Sequence, residues 1–173
     1  MSGPRDPRDA REAPESRVLG REEAVRRHGR PRDHRLVFTN GCFDLLHRGH
    51  AAYLNQAAAL GDRLVVGLNS DASVRRLKGE GRPVQPADDR AYLLASLRAV
   101  DAVTVFEEDT PAALIEALLP DVLVKGADYD EEDVVGREAV VEAGGEVRLL
   151  PLEAGRSTSV LLDRIRRGVT GGG

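Results

Sequence analysis

A chain of 173 residues, 41% hydrophobic and 31% charged, suits one domain with a proper core. Its single cysteine, Cys42, excludes an internal disulfide and fits a reducing, cytoplasmic compartment; no apolar run approaches membrane-spanning length, and the charged start is not a signal peptide. Residues 1–35 hold ten Arg against seven acids, leaving fifteen basic against twenty-two acidic residues in the body, which therefore does not attract nucleic acid or an anionic membrane as a whole.

Residues 1–16, rich in Pro, Arg and Glu, predict a disordered tail, and its interleaved acids argue for a solvated segment rather than a nucleic-acid arm. A short lead-in helix is expected over Glu22–His28. Strand and helix patterns then alternate. Strands are predicted at Leu36–Thr39, Arg63–Asn69, Ala102–Phe106, Val122–Lys125 and Glu146–Leu150, all short and apolar, as in a sheet covered on both faces. Helices are predicted at Ala51–Leu60, Asp89–Ala99, Pro111–Leu119, Gly136–Ala143 and Ser157–Arg167. Asn40-Gly41 is expected to break the first strand. Thr110-Pro111 predicts a cap followed by Pro at the first helical position. Gly61 and Gly144-Gly145 are stops, and Gly168–Gly173 a flexible end. Aromatics make up only 3%, so the core must be Val, Leu and Ala. The alternation implies an α/β fold, a five-stranded parallel sheet with right-handed crossovers over residues 17–167.

The segment from Phe38 to His50, FTNGCFDLLHRGH, carries the chemistry. A strand that gives way to a Gly-containing loop and then a helix makes a phosphate site, because the helix N-terminus offers unpaired N–H groups and partial positive charge. His47 and His50 sit where that loop meets the helix. Imidazoles there can grip a nucleotide's phosphates and stabilise charge developing during attack on phosphorus. Two other readings stand beside this one. Asp44, His47, His50 and nearby Cys42 could be metal ligands, although a zinc-peptidase helix would carry Glu between its histidines, where Arg48 and Gly49 stand. The histidines could also be capping or surface residues.

Gly41-Cys42-Phe43-Asp44 followed by His47-Arg48-Gly49-His50 resembles the signature of the HxGH nucleotidyltransferases, the cytidylyltransferase-like superfamily. Asn69-Ser70-Asp71, Leu77-Lys78-Gly79, Gly81-Arg82-Pro83-Val84, Phe106 to Pro111, Leu123 to Tyr129 and Ser157-Thr158-Ser159 follow in order. From roughly Val18 to Arg167 they resemble the heptose 1-phosphate adenylyltransferases, best known as half of a bifunctional kinase/adenylyltransferase. No sugar-kinase segment precedes, so a stand-alone form is expected.

The resemblance implies a doubly wound, Rossmann-like sheet of order 3-2-1-4-5, with ligands in the crevice at the carboxyl ends of strands 1 and 4. It implies ATP and D-glycero-β-D-manno-heptose 1-phosphate as substrates, Mg²⁺ with the triphosphate, and a homodimer. His47, His50 and Lys78 would be catalytic, Lys78 as a lid lysine in a mobile basic loop, Arg75 to Arg82, that could otherwise be a solvated charge run. Nucleotide would be held by Asn40, Gly41, Cys42, Phe43, Lys125, Gly126, Asp128, Arg156, Ser157 and Thr158. Gly126 would allow close approach and Asp128 accept a ribose hydroxyl. Ser157, Thr158 and Ser159 could equally be a plain N-cap run, and Arg156 a relocated clamp or a surface charge. Asp44, Asn69, Asp71 and Arg82 would meet the sugar phosphate, unless Asp44 only orders its loop. No dedicated protein metal cage is expected. The alternatives are a cytidylyltransferase for glycerol 3-phosphate or a similar small phosphate, and a nucleotide-binding module without turnover.

Overall fold

The computed structural model describes residues 12–155 and 157–170. Strands β1 (Leu36–Gly41), β2 (Arg63–Asn69), β3 (Ala102–Phe106), β4 (Val122–Gly126) and β5 (Glu146–Leu150) form one sheet, all parallel, in the order β3-β2-β1-β4-β5. β1 is therefore central, and the winding reverses between β1 and β4. The helices are α1 (Arg21–His28), α2 (Arg48–Ala58), α3 (Asp71–Lys78), α4 (Ala87–Ser96), α5 (Ala112–Leu118), α6 (Arg137–Glu142) and α7 (Thr158–Thr170).

Side chains alternate along β1 and divide the core into two layers. Val37 joins Leu54, Leu64, Val66 and Leu94 under α2 and α4. Leu36 and Phe38 join Val65, Leu114, Ile115 and Val140 under α1, α5 and α6. At the amino ends of the strands, aspartates take up amides that the ladder leaves over: Asp121 accepts from Leu36 N–H at 2.8 Å, Asp101 from Leu64 N–H at 2.8 Å, and Asp62 from Arg35 N–H at 2.7 Å. Among the described residues no helix is long and apolar enough to cross a membrane.

The doubly wound parallel sheet and its order are as expected, while several boundaries move. β1 does not break at Asn40-Gly41, because both residues stay in register with Gly67 and Leu68 of β2. Thr110 is not a cap: the first helical bond of α5 comes from Ile115 N–H to the Pro111 carbonyl, so Pro111 itself is the N-cap. The expected basic loop before Gly79 is largely the helix α3. Ser70 caps it, its Oγ accepting from Ser73 N–H at 3.2 Å, and Gly79 ends it at φ +95°. α7 runs on to Thr170.

Of the expected tail, residues 1–11 lie outside the described residues. Pro14–Arg17 forms a 3-10 turn, and the Arg17 guanidinium donates to the Val100 carbonyl at 2.8 Å. Val18 then bridges Val103 in parallel, and Leu19 N–H donates to the Val103 carbonyl at 2.8 Å, along the outer side of β3.

Candidate active site

Beyond β1 the chain turns sharply. Phe43 takes a left-handed backbone at φ +44°, a strained state for a non-glycine residue. A Cβ on Gly41 would lie 3.0 Å from the Phe43 ring. The turn delivers His47 to the N-cap of α2, where its Nδ1 accepts from His50 N–H at 3.4 Å. In neutral His47 the proton is thereby placed on Nε2. The two imidazoles stack, centroids 3.8 Å apart and 22° from coplanar, and Phe43 packs against His50 at 5.2 Å. Burial, then the positive charges of His47 and Lys78, push His50 down to a pKa of about 4 against a contact from the Leu45 backbone, so at neutral pH its ring is uncharged.

A cleft of about 440 Å³ opens over this turn, between the carboxyl ends of β1 and β4. It is lined by Asn40, Gly41, Phe43, His47 and His50 from the first loop, by Lys125, Gly126 and Asp128 after β4, by Ser157, Thr158 and Ser159 at the start of α7, and by Lys78 and Arg82. The Lys125 ammonium donates to Asn40 Oδ1 at 2.5 Å and stands 5.4 Å from the Tyr129 ring centroid. Burial lowers its pKa to about 8 even with Asp128 and Cys42 opposing. A Cβ on Gly126 would meet Asp128 Oδ1 at 2.5 Å, so glycine lets Asp128 fold back into the cleft. Ser157 is the cap of α7, its Oγ accepting from Val160 N–H at 3.2 Å, and its helix end faces the same cleft. Arg156 lies outside the described residues.

Lys78, the last residue of α3, also borders an adjoining cleft of about 350 Å³ with Arg82, Ser159 and Arg166. Four expected site residues do not line the main cleft. Asp44 is 1% exposed and spends both oxygens on the next segment, accepting from Arg82 Nε at 2.6 Å, Val84 N–H at 2.8 Å and Gln85 N–H at 3.0 Å. Burial alone would raise its pKa, but those amides and the Arg82 guanidinium outweigh it and hold the carboxyl below its usual value. Of its two expected roles, this is the ordering one. Asn69 donates to Ser73 Oγ at 3.0 Å, and Asp71 pairs with Arg90 at 2.7 Å. Cys42 is partly buried behind the loop, and burial pushes its thiol up.

Three contributors were not among the expected site residues, although Tyr129 ends one of the motifs. Tyr53 and Tyr129 line the cleft. Thr39 Oγ1 gives its proton to the Val124 carbonyl at 2.9 Å, so the Tyr53 hydroxyl, 2.8 Å away, donates to Thr39 and knits α2 to β1 and β4. Arg90 is fully buried. Its signal was its spacing: it shares a helix face with Ala91, Leu94 and Ala95, where an arginine has no reason to be unless it holds something.

Two imidazoles, a buried ammonium and a helix N-terminus around one concavity can hold a polyphosphate and stabilise charge on phosphorus. The geometry does not suit the metal reading of the motif. The imidazoles lie face to face instead of converging, Asp44 is already engaged, and among the described residues no three His, Cys, Asp or Glu side chains gather at ligand distance.

A profile of the cytidylyltransferase-like family matches residues 38–154. Over 133 residues, 77% of this chain, the sequence is 63% identical to the bifunctional protein HldE of Mesorhizobium japonicum and 60% identical to that of Helicobacter pylori. Over 162 residues, 90% of this chain, it is 57% identical to the HldE of Rhodospirillum rubrum. The chain spans 27%, 28% and 32% of the lengths of these three relatives. Among solved structures, the lipopolysaccharide core biosynthesis protein of Thermoplasma volcanium superposes with a TM-score of 0.58 at 27% identity, covering 70% of this chain and 98% of that one. Pantothenate synthetase of Thermus thermophilus, at 18% identity and a TM-score of 0.55, covers 78% of this chain and 61% of its own and shares the fold.

Proposed function

The chain belongs to the cytidylyltransferase-like family, and from that premise we propose that it joins ATP and D-glycero-β-D-manno-heptose 1-phosphate. A phosphate oxygen of the sugar attacks the α-phosphorus of ATP in line. The new P–O bond forms as the bond to the β-phosphate's bridging oxygen breaks, giving ADP-heptose and pyrophosphate. The observation that carries this reading is the convergence of the His47–His50 stack, Lys125 and the start of α7 on one cleft at the crevice between β1 and β4.

Such a transfer needs no protein nucleophile; positioning and charge stabilisation suffice. His47 and His50 hold the triphosphate, with His50 at the α-phosphate. The hydroxyls and amides of Ser157 to Ser159 take the β- and γ-phosphates. Lys78 and Arg82 meet the incoming sugar phosphate from the other side. Lys125, Gly126 and Asp128 face the base and ribose. Magnesium enters with ATP as part of that substrate. The heptose and the adenine rest on the motif resemblance and on the likeness to the HldE proteins.

A pyrophosphate-release panel tests the reading: ATP and CTP, each with heptose 1-phosphate and with glycerol 3-phosphate. Release with ATP and heptose phosphate alone is expected. Release with CTP and glycerol 3-phosphate replaces the substrates, and no release from any pair removes the enzyme.

A further inference from the structure

Arg90 is a cation with no access to solvent, inside a layer of Leu and Ala. Burying a charge is expensive unless hydrogen bonds and a counter-charge compensate. Here four of its five N–H groups are used, and their targets share a pattern. Nη1 donates to the carbonyls of Cys42 at 2.7 Å and Asn69 at 2.9 Å, Nε to the carbonyl of Gln85 at 2.9 Å, and Nη2 to Asp71 Oδ1 at 2.7 Å. These acceptors lie in the loop that carries the histidines, at the end of β2, in the segment after Arg82, and in the first residue of α3, the helix that ends in Lys78. Asp44 ties the same two loops from the opposite side through the amides of Val84 and Gln85. Gln85 is thus held at its N–H by Asp44 and at its carbonyl by Arg90.

We infer that Arg90 is a positioning residue: it sets the distance between the His47–His50 turn and the Lys78–Arg82 side of the cleft without itself lining that cleft. A guanidinium fits because its donors diverge in one plane, whereas a lysine ammonium radiates three from a single point and cannot reach four separated acceptors. A merely structural cation would need only neutralisation, which Asp71 already offers; three backbone carbonyls from three different segments are what registering those segments requires. The inference rests on the proposed reaction for its kinetic arm and is independent of it for the other.

The kinetic arm is a double-mutant cycle. Arg90→Lys lowers kcat by about 10- to 100-fold, as a displacement of catalytic groups by an ångström or so does, with the ATP dissociation constant within about threefold of wild type. In a Lys78→Ala background the same change costs less than about threefold, because the group it misplaces is already gone. Additive losses in the two backgrounds would overturn the inference, as would a fall in melting temperature with kcat unaltered below the transition. The second arm needs no turnover: in Arg90→Lys the amides of Val84 and Gln85 exchange faster while β1 and β2 stay protected. Unchanged exchange at Val84 and Gln85 overturns the inference. If wild-type protein releases no pyrophosphate, the reaction falls, and the exchange arm still decides on Arg90. Should Arg90→Lys fail to fold, Asp71→Asn frees α3 alone and lowers kcat in the same direction; a rise in the sugar-phosphate KM alone would show instead that Asp71 meets substrate.

Discussion

With its pKa pushed down to about 4, His50 is uncharged in the free protein at neutral pH, and in the proposed transfer it stands at the α-phosphate. Its worth lies in charge that develops as phosphorus is attacked, so His50→Ala lowers kcat by about 10²- to 10³-fold. The ATP dissociation constant moves far less. Steady-state kinetics and nucleotide titration separate the two, and a variant within about threefold of wild type in kcat removes His50 from catalysis. Lys125 works at the opposite limit. Burial brings its pKa to about 8, so in the free protein it loses its positive charge as pH rises through 8. The value of kcat/KM for ATP, which reports free-enzyme ionisations, therefore falls above pH 8. A Lys125→Met variant starts lower and shows no such limb.

At the scale of elements, α3 and the segment behind it make one wall of the cleft, and Lys78 stands at its end. Lys78→Ala raises the sugar-phosphate KM and cuts kcat together, since the group serves positioning and charge at once. Lys78→Arg recovers part of the loss, a planar fork being a poor substitute for a compact ammonium. Arg75→Ala, on the exposed side of the same helix, is the control for bulk charge. If it matches Lys78→Ala and both effects vanish in high salt, the wall only attracts anions.

The elements also differ in how plainly the sequence showed them. β2 and β3 match their expected ranges because a covered parallel strand is a nearly continuous apolar run, and β5 matches although Glu146 and Arg148 interrupt its apolar residues at the sheet edge. The phosphate turn and the start of α7 were legible for a related reason, as their chemistry sits in contiguous residues. α3 was not, because it buries only Ser73 and Val74 and leaves Leu77 in solvent, too thin a stripe to show a helical period. Asp44 and Arg90 were opaque in another way. Their partners lie up to 48 residues away in sequence and are mostly backbone groups, which no side-chain pattern reveals. Asn69 and Asp71 stand in a motif of the resemblance, yet here their side chains turn to Ser73 and Arg90.

For the molecule as a whole, two half-buried imidazoles contribute to the response to acid. His28, the last residue of α1, is lowered to about 4, by burial first and then by His34, and His50 is lowered to about 4 at the other end of the sheet. Unfolded, each titrates near 6.5. Between those values the unfolded chain binds protons that the folded chain refuses. The stability these two groups contribute is thus full above pH 6.5 and lost as pH falls toward 4. The melting temperature drops by roughly 5 °C or more from pH 7 to pH 5. His28→Asn flattens part of that slope in a calorimetric series, and an unchanged slope would move its origin to the carboxylates.

The short rung that Val18 makes with Val103 reaches beyond its own few hydrogen bonds. A sheet ends in two flanks whose free amides and carbonyls invite a stranger's strand to join. On the β3 flank the chain's own beginning occupies that place. On the β5 flank Glu146 and Arg148, paired at 2.9 Å, would have to be stripped of water by any visitor. Both flanks thus carry features that disfavour edge-to-edge pairing through the sheet that carries the cleft.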